Sequence, residues 1–95
     1  MFALLAILTE FIGTFVFLTV ILTTGQAIPI ALALAVAIYF GGATSGGHFN
    51  PAVSTMMLAK GAISMETWIS YVIAQVLGGL VALLWYKSTA GAIKK

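Results

Sequence analysis

The sequence lacks cysteine and arginine, and it has few charged residues of either sign. Charged residues make up 6% of its 95 residues, whereas about a quarter is usual in soluble domains. Without cysteine there is no disulfide framework and no thiolate metal site, and one histidine with two acidic residues is a poor donor set for a metal. The four basic residues are too scattered for a nucleic-acid-binding surface. We therefore expect no metal, no cofactor and no nucleic-acid partner.

Apolar residues fill most of the chain and indicate that it lies in a lipid bilayer. They account for 62% of the residues, which leaves too little polar surface for a soluble domain of this size. Crossing the hydrocarbon core takes about 20 helical residues. The segments that meet or approach this length are residues 2–22, 28–43 and 67–86. Trp68 at one end of the last segment, with Trp85 and Tyr86 at the other, suits the two membrane interfaces. We predict one all-α membrane unit over residues 1–95, with three transmembrane helices.

A shorter helix is marked between the second and third segments. Asn50 is a good N-cap, Pro51 suits the first helical position, and Gly61 falls just past the end. Ten residues rise about 15 Å, half of a hydrocarbon core about 30 Å thick. We therefore predict that residues 44–60 form a glycine-rich re-entrant loop followed by a half-helix. Such a loop lies at membrane depth, where non-helical backbone is tolerated only when it is buried in protein or lines a water-filled cavity.

Asn50 has two roles available at that position. Its side-chain oxygen can cap the half-helix, while its NH2 group stays free to donate into a cavity. The positive end of the helix dipole points to the same place, which favours water oxygens and repels cations. Because a half-helix crosses only half of the membrane, the simplest completion is a second, inverted copy. The plain alternative is that Asn-Pro only starts a helix and that the glycines are ordinary loop residues.

Three stretches of the sequence are distinctive: "SGGHFNPAVS" before and within the short helix, "TEFIGTF" at residues 9–15, and "YVIAQVLGG" at residues 71–79. The first resembles the first Asn-Pro-Ala loop of the aquaporin and aquaglyceroporin family, also called major intrinsic proteins. The others resemble the first and third helices of that family. Members carry six spans and two such loops, with the second half inverted, so this chain resembles half of the inverted-repeat fold. We favour a self-complementary half, and a fragment of a longer channel is the alternative.

The resemblance implies which residues line a pore and which support the loop. The implied pore-lining residues are Asn50, Pro51, Ala52, Gly46, Gly47 and His48. Of these, Asn50 faces the pore directly, and the glycines and His48 offer carbonyl oxygens to a single file of water. For the His48 ring, we favour a buried position bonded to backbone over contact with solute. The implied loop supports are Glu10, Thr14 and Gln75, and for Gln75 a helix–helix hydrogen bond is an equal alternative.

The resemblance also implies a selectivity constriction at four positions. Counted from Asn50, they fall on Ile30, Ile38, Gly47 and Val53. The family's usual arginine is replaced here by a valine, so we expect uncharged, aliphatic mouths. The alternative is that the three branched residues only pack between helices.

The function implied is a passive channel for water and for small neutral solutes such as glycerol. Its pore would form from two antiparallel chains in a cell membrane, with four such pairs, eight chains in all, as an expected assembly. No enzymatic reaction is implied. One alternative is a non-conducting half that assembles with a full-length relative. An ion channel is disfavoured, because no charged ring is available.

Overall fold

The computed structural model describes residues 2–94, with side chains described over residues 3–89. Within this range the chain forms four helices joined by short connections. They are α1 (Phe2–Thr24), α2 (Ala27–Ser45), α3 (Pro51–Lys60) and α4 (Met65–Lys94). By length and composition, α1, α2 and α4 can each cross a membrane. The prediction of an all-α chain with three membrane-spanning helices is confirmed.

The first two long helices end on glycines in the left-handed conformation. Gly25 has φ 59° and donates its N–H to the carbonyl of Ile21 at 3.0 Å. Gly46 has φ 92° and donates to the carbonyl of Gly42 at 2.9 Å. Glycine closes a helix in this way without steric cost. These caps carry the two helices slightly past their predicted ends, to residues 24 and 45.

Helix α4 is longer than the predicted span of residues 67–86. It begins at Met65, next to Ser64, whose hydroxyl accepts the N–H of Thr67 at 3.2 Å. It continues to Lys94, and its 30 residues rise about 45 Å, more than the roughly 30 Å hydrocarbon core. Interfacial aromatic residues respond to the membrane surface and do not end a helix, and α4 continues past Tyr86.

Helix α1 lies between α2 and α4 and packs against both, while α3 packs against α4. Small residues bring the backbones of α1 and α4 together. A Cβ built on Gly78 would lie 2.8 Å from the carbonyl oxygen of Phe11 and 3.2 Å from the backbone nitrogen of Phe15. Ala74 and Ala82 on the same helix are buried. Close packing of this kind is a main source of helix association in lipid, where burial of apolar surface brings little gain.

The interior of this unit is unusually polar and its outer surface is apolar. Large apolar side chains such as Ile12 and Leu84 are exposed, as expected for surfaces that face lipid. The buried polar residues are Glu10, Thr14, Ser45, His48, Ser54 and Gln75. Lipid offers these groups no hydrogen-bond partners, so they have to find them within the protein. They gather where the segment between α2 and α3 meets α1 and α4.

Candidate functional site

The half-helix α3 begins at Pro51, and the residue before it, Asn50, is its N-cap with extended backbone angles. Its side-chain oxygen accepts the N–H of Ala52 at 2.8 Å, and its carbonyl accepts the N–H of Ser54 at 3.1 Å. An N-cap of this kind contributes about 1 kcal/mol. The side chain is exposed, and among the described residues its NH2 group donates to no acceptor. Asn50 therefore presents two N–H bonds at the positive end of α3.

A buried carboxylate holds the 46–50 loop, meaning the five residues between α2 and α3. Glu10 is fully buried. One of its oxygens accepts from the Ser45 hydroxyl at 2.7 Å and from the His48 N–H at 3.0 Å. The other accepts from the Phe49 N–H at 2.7 Å and from the Gln75 amide at 2.9 Å. All four partners donate, which suits an ionised carboxylate. These four bonds form a brace between α1, the loop and the neighbouring helices.

Gln75 extends the brace from Glu10 to the first turn of α3. Its amide nitrogen donates to Glu10 and also to the Ser54 hydroxyl, in each case at 2.9 Å. Because a carboxylate only accepts, the orientation of this amide is fixed by Glu10. The Ser54 oxygen lies 2.8 Å from Nδ1 of His48. The Ser54 hydroxyl therefore joins the Gln75 amide to the His48 ring.

The His48 ring is buried and does not extend towards solvent. It packs edge-to-face on Tyr71, with ring centroids 5.1 Å apart, and Tyr71 donates its hydroxyl to the Ser45 carbonyl at 2.6 Å. A buried ring was expected, but its partner is the Ser54 hydroxyl where a backbone group was expected. Side chains from α3 and α4 thus fix this residue in place.

The backbone of the 46–50 loop has its donors bound inside the protein. Gly46 donates to α2, Gly47 donates to the Ser45 hydroxyl at 3.1 Å, and the next two N–H groups donate to Glu10. In contrast, no hydrogen bond within residues 2–94 ends on the carbonyl oxygens of Gly46, Gly47 or His48. Positive φ angles of 92° and 65° at the glycines make this arrangement possible. The loop therefore has three carbonyl oxygens without internal partners.

Phe49 is a site residue that the sequence did not reveal. It has φ 52°, an uncommon conformation for a bulky residue, and only 2% of its surface is exposed. A Cβ on Gly13 of α1 would overlap its ring, and a Cβ on Gly41 of α2 would lie 3.0 Å from its Cζ. The ring thus occupies a slot between α1 and α2 that exists because both residues are glycines.

Thr14 lies in this buried region but makes no hydrogen bond there. Its hydroxyl has no partner among the described residues, and neither has the amide oxygen of Gln75. The other threonines of α1 donate to the carbonyl four residues back; they are Thr9, Thr19, Thr23 and Thr24. Thr14 differs, and its Cβ lies 3.3 Å from where a Cβ on Gly78 would be. Its contribution in this structure is packing between α1 and α4.

The four residues assigned to a constriction are only partly together. A Cβ on Gly47 would lie 3.3 Å from the Cα of Ile38, so these two residues are neighbours, and Ile38 is 44% exposed. Ile30 is eight residues earlier on the same helix, or about 12 Å along its axis. Val53 is half-buried in the first turn of α3. One chain therefore cannot place Ile30 and Ile38 in one narrow ring.

An open cavity of about 490 Å³ lies beside Asn50, between α1 and α4. Its lining combines a few polar residues with a majority of apolar ones. The side chains that line it include those of Thr14, Phe17, Leu18, Pro51, Gln75 and Leu80. The cavity gives the start of α3 an open side.

Ser45, Ser54 and Tyr71 belong to the site, and sequence reasoning missed them. The available signal was helical spacing, since residues four apart share a face. Ser54 lies four residues after Asn50, and Tyr71 lies four residues before Gln75. Hydroxyls are common on helices, however, so the spacing would have gained meaning only once Asn50 and Gln75 were placed.

Comparison with known proteins gives one consistent family. The family model described as "Major intrinsic protein" matches residues 2–94. "Glycerol uptake facilitator protein-like 6" of Lactiplantibacillus plantarum is 45% identical over 95 residues, covering 90% of this chain and 44% of that protein. "Probable aquaporin TIP1-2" of Oryza sativa subsp. japonica is 46% identical over 61 residues, 64% of this chain and 24% of that protein. "Aquaporin-9" of Homo sapiens is 37% identical over 89 residues, 78% of this chain and 30% of that protein.

This chain spans less than half of the length of each of these relatives. No solved structure matches it significantly. The resemblance found in the sequence is confirmed by the family match, which covers the three membrane-spanning helices and the loop. The chain is an integral membrane protein and belongs to the major intrinsic protein family.

Proposed function

We propose that this chain forms a passive channel for water and small uncharged solutes such as glycerol, in a cell membrane. The observation that carries the proposal is the divided backbone of the 46–50 loop. Its N–H groups are bound inside the protein, whereas three successive carbonyl oxygens have no partner among the described residues. The relatives named as a glycerol uptake facilitator-like protein and as aquaporins support the same reading. Passive transport makes and breaks no covalent bond, so the proposal includes no reaction and no cofactor.

In this proposal the loop and Asn50 act together on a file of water. Water donates hydrogen bonds to the carbonyl oxygens of Gly46, Gly47 and His48, and the NH2 group of Asn50 donates a hydrogen bond to a water oxygen. The positive end of the α3 dipole lies at the same place and disfavours cations, protons included. Pro51 and Ala52 set the first turn of α3 behind Asn50.

The brace on the inner side of the loop keeps these acceptors in place. Glu10 and Gln75 are its central members, since Glu10 accepts two N–H groups of the loop and Gln75 donates to Glu10. These bonds support the role that the sequence suggested. Thr14 contributes by packing, since its hydroxyl has no partner among the described residues.

A second, inverted copy of the chain would complete the pore. The cavity beside Asn50 is open, and α3 with its 10 residues covers only about half of the hydrocarbon core. Two inverted copies would bring two half-helices together at the midplane, as inverted repeats do in other transport proteins. Four such pairs, eight chains, form the assembly that we propose.

Each mouth of the pore would then be built from both copies. Ile30 lies about 12 Å along α2 from Ile38, so the two cannot share a ring within one chain. Ile38, Gly47 and Val53 of one copy with Ile30 of the second give an uncharged, aliphatic constriction. Such a mouth suits neutral solutes and lacks the charged groups that ion pathways use.

Osmotic shrinkage of vesicles that contain only the purified chain tests this function. We expect fast shrinkage with a low activation energy in stopped-flow light scattering, and shrinkage no faster than in empty vesicles would contradict the proposal. The informative variant is Asn50→Asp, because aspartate keeps the N-cap but removes the NH2 donor and adds a negative charge. We expect this variant to admit cations. If its flux and its ion exclusion both equal those of the original chain, Asn50 does not face the pore.

A second candidate is a non-conducting half that assembles with a full-length relative. The observation that favours it is that this chain covers 44% of the Lactiplantibacillus plantarum protein. The mass of the purified assembly in detergent distinguishes the two candidates, since self-completion requires an even number of copies. A monomer that conducts only after a full-length relative is added would favour the second candidate.

A further inference from the structure

Phe49 lies between the two residues that contribute most directly to the proposed pore. Its neighbours are His48, whose carbonyl has no internal partner, and Asn50, whose amide is exposed. The Phe49 side chain points the other way, into the slot between Gly13 and Gly41. The same residue also donates its N–H to Glu10 at 2.7 Å. Its backbone and its ring are therefore held from two sides.

The position of the ring is not explained by burial alone. In lipid, an aromatic ring gains little by leaving the surface, because hydrocarbon tails are as apolar as the protein interior. The backbone at Phe49 nevertheless has φ 52°, a value that residues with a Cβ rarely adopt. A bulky residue persists in such a conformation only where the surroundings determine it. Here those surroundings are the slot and the carboxylate.

We infer that Phe49 is a positioning residue, whose ring in the Gly13–Gly41 slot sets the orientation of His48 and Asn50. This inference rests on the proposed function for its consequence, which is the alignment of the pore groups. The slot opens outward into a groove of about 670 Å³ between α1 and α2, lined in part by Gly13, Gly41 and Phe49. A displaced ring therefore has space to enter, and filling the slot moves the loop without unfolding the helices.

The test uses Gly13→Ala, Phe49→Leu and the two together. Alanine at position 13 fills the slot and displaces the ring, and we expect water flux to fall about tenfold, as overpacking of a close-fitting site implies. Phe49→Leu alone leaves the slot partly empty and should also lower flux, whereas leucine beside the added Cβ at position 13 refills the slot, so the double variant should recover flux to within about twofold. The matched control is Gly42→Ala, a helical glycine at which an added Cβ meets nothing within 4 Å.

A second readout does not depend on conduction. The chain has one histidine, so 15N labelling of histidine gives ring signals from His48 alone. We expect these signals to shift in Gly13→Ala, to return towards their original positions in the double variant, and to stay unchanged in Gly42→Ala. General destabilisation would not produce this pattern, because the control and the double variant carry equal or greater numbers of substitutions.

The outcomes separate this inference from the proposed function. If the original chain does not conduct, the proposed function fails, and the His48 signals still decide whether Phe49 positions the loop. If Gly13→Ala stays helical and leaves those signals unchanged, or if the double variant does not restore them, the inference is wrong. If Gly13→Ala does not fold, Phe49→Leu decides alone, and unchanged His48 signals in that variant overturn the inference.

Discussion

Replacing Glu10 by glutamine tests the brace most directly, because it keeps the shape of the side chain and removes its charge. The carboxylate accepts four hydrogen bonds through two oxygens, and an amide has only one oxygen. The Ser45 hydroxyl can turn to accept from the new NH2 group. The amide of Gln75 can flip to do the same. The backbone N–H groups of His48 and Phe49 cannot, so either orientation leaves one of them buried without an acceptor.

The magnitude follows from these contacts. One buried N–H without a partner costs about 1–3 kcal/mol, and the bonds that remain lose charge assistance, about 1 kcal/mol each. Release of the buried charge offsets part of this. The net loss in the free energy that holds the 46–50 loop in its bonded conformation is about 3 kcal/mol, which raises the equilibrium constant for opening of the loop roughly a hundredfold.

Amide hydrogen exchange at residues 48 and 49 measures this effect, and vesicle shrinkage measures its consequence for flux. We expect exchange at these two amides to rise about a hundredfold, while amides in the middle of α4 keep their protection and flux falls. The matched control is Glu66→Gln, which changes the charge of an exposed residue equally and should alter neither. Unchanged exchange in Glu10→Gln would refute the view that the carboxylate holds the loop.

Three further predictions address other parts of the molecule. Val53→Arg should lower the permeation of glycerol more than that of water, because a long charged side chain narrows an aliphatic mouth; an unchanged ratio of the two permeabilities would place this residue outside the constriction. Gly78→Ala should destabilise the folded state by about 1–3 kcal/mol, because its Cβ meets the backbone of α1. Gly79→Ala, whose Cβ meets only a leucine methyl group, should lower the free energy of unfolding by less. Unfolding of the two variants in mixed detergents measures the difference, and equal losses of stability would argue against close packing of α1 and α4 at Gly78. Ser54→Ala leaves groups of two buried side chains without a partner and should lower stability by about 2 kcal/mol, which thermal unfolding can check against the unaltered chain.

The fold was predictable where single residues have strong local preferences. Asn50, Pro51 and Gly61 defined both ends of the half-helix, because capping and the proline ring act within one turn. Glu10 was predictable as a loop support from the family resemblance, and its place inside an apolar span agrees with that role because a charge there needs a partner. The end of α4 was not predictable from interfacial aromatics, as those respond to the membrane rather than to the backbone.

The remaining site depends on contacts between distant segments, which no local pattern encodes. The slot for Phe49 needs glycines on two different helices, and either glycine alone indicates only close packing between helices. The same holds for Ser54, whose hydroxyl gains its role only when Gln75 and His48 approach from other segments. The contacts of Thr14 were equally hidden, since its hydroxyl makes no hydrogen bond within the described residues although it lies one turn from Glu10.

The partners of Glu10 also affect how stable the first helix is in the lipid bilayer. They lie 35 to 65 residues further along the chain, so α1 alone carries none of them into the bilayer. An acidic side chain without partners at that depth costs about 2.5–3.5 kcal/mol on insertion scales. Helix α1 is therefore a poor anchor by itself, and its carboxylate is fully bonded only when α2, the 46–50 loop and α4 are all in place. Glu10 in this way links the stability of the first helix in lipid to the assembly of the whole unit.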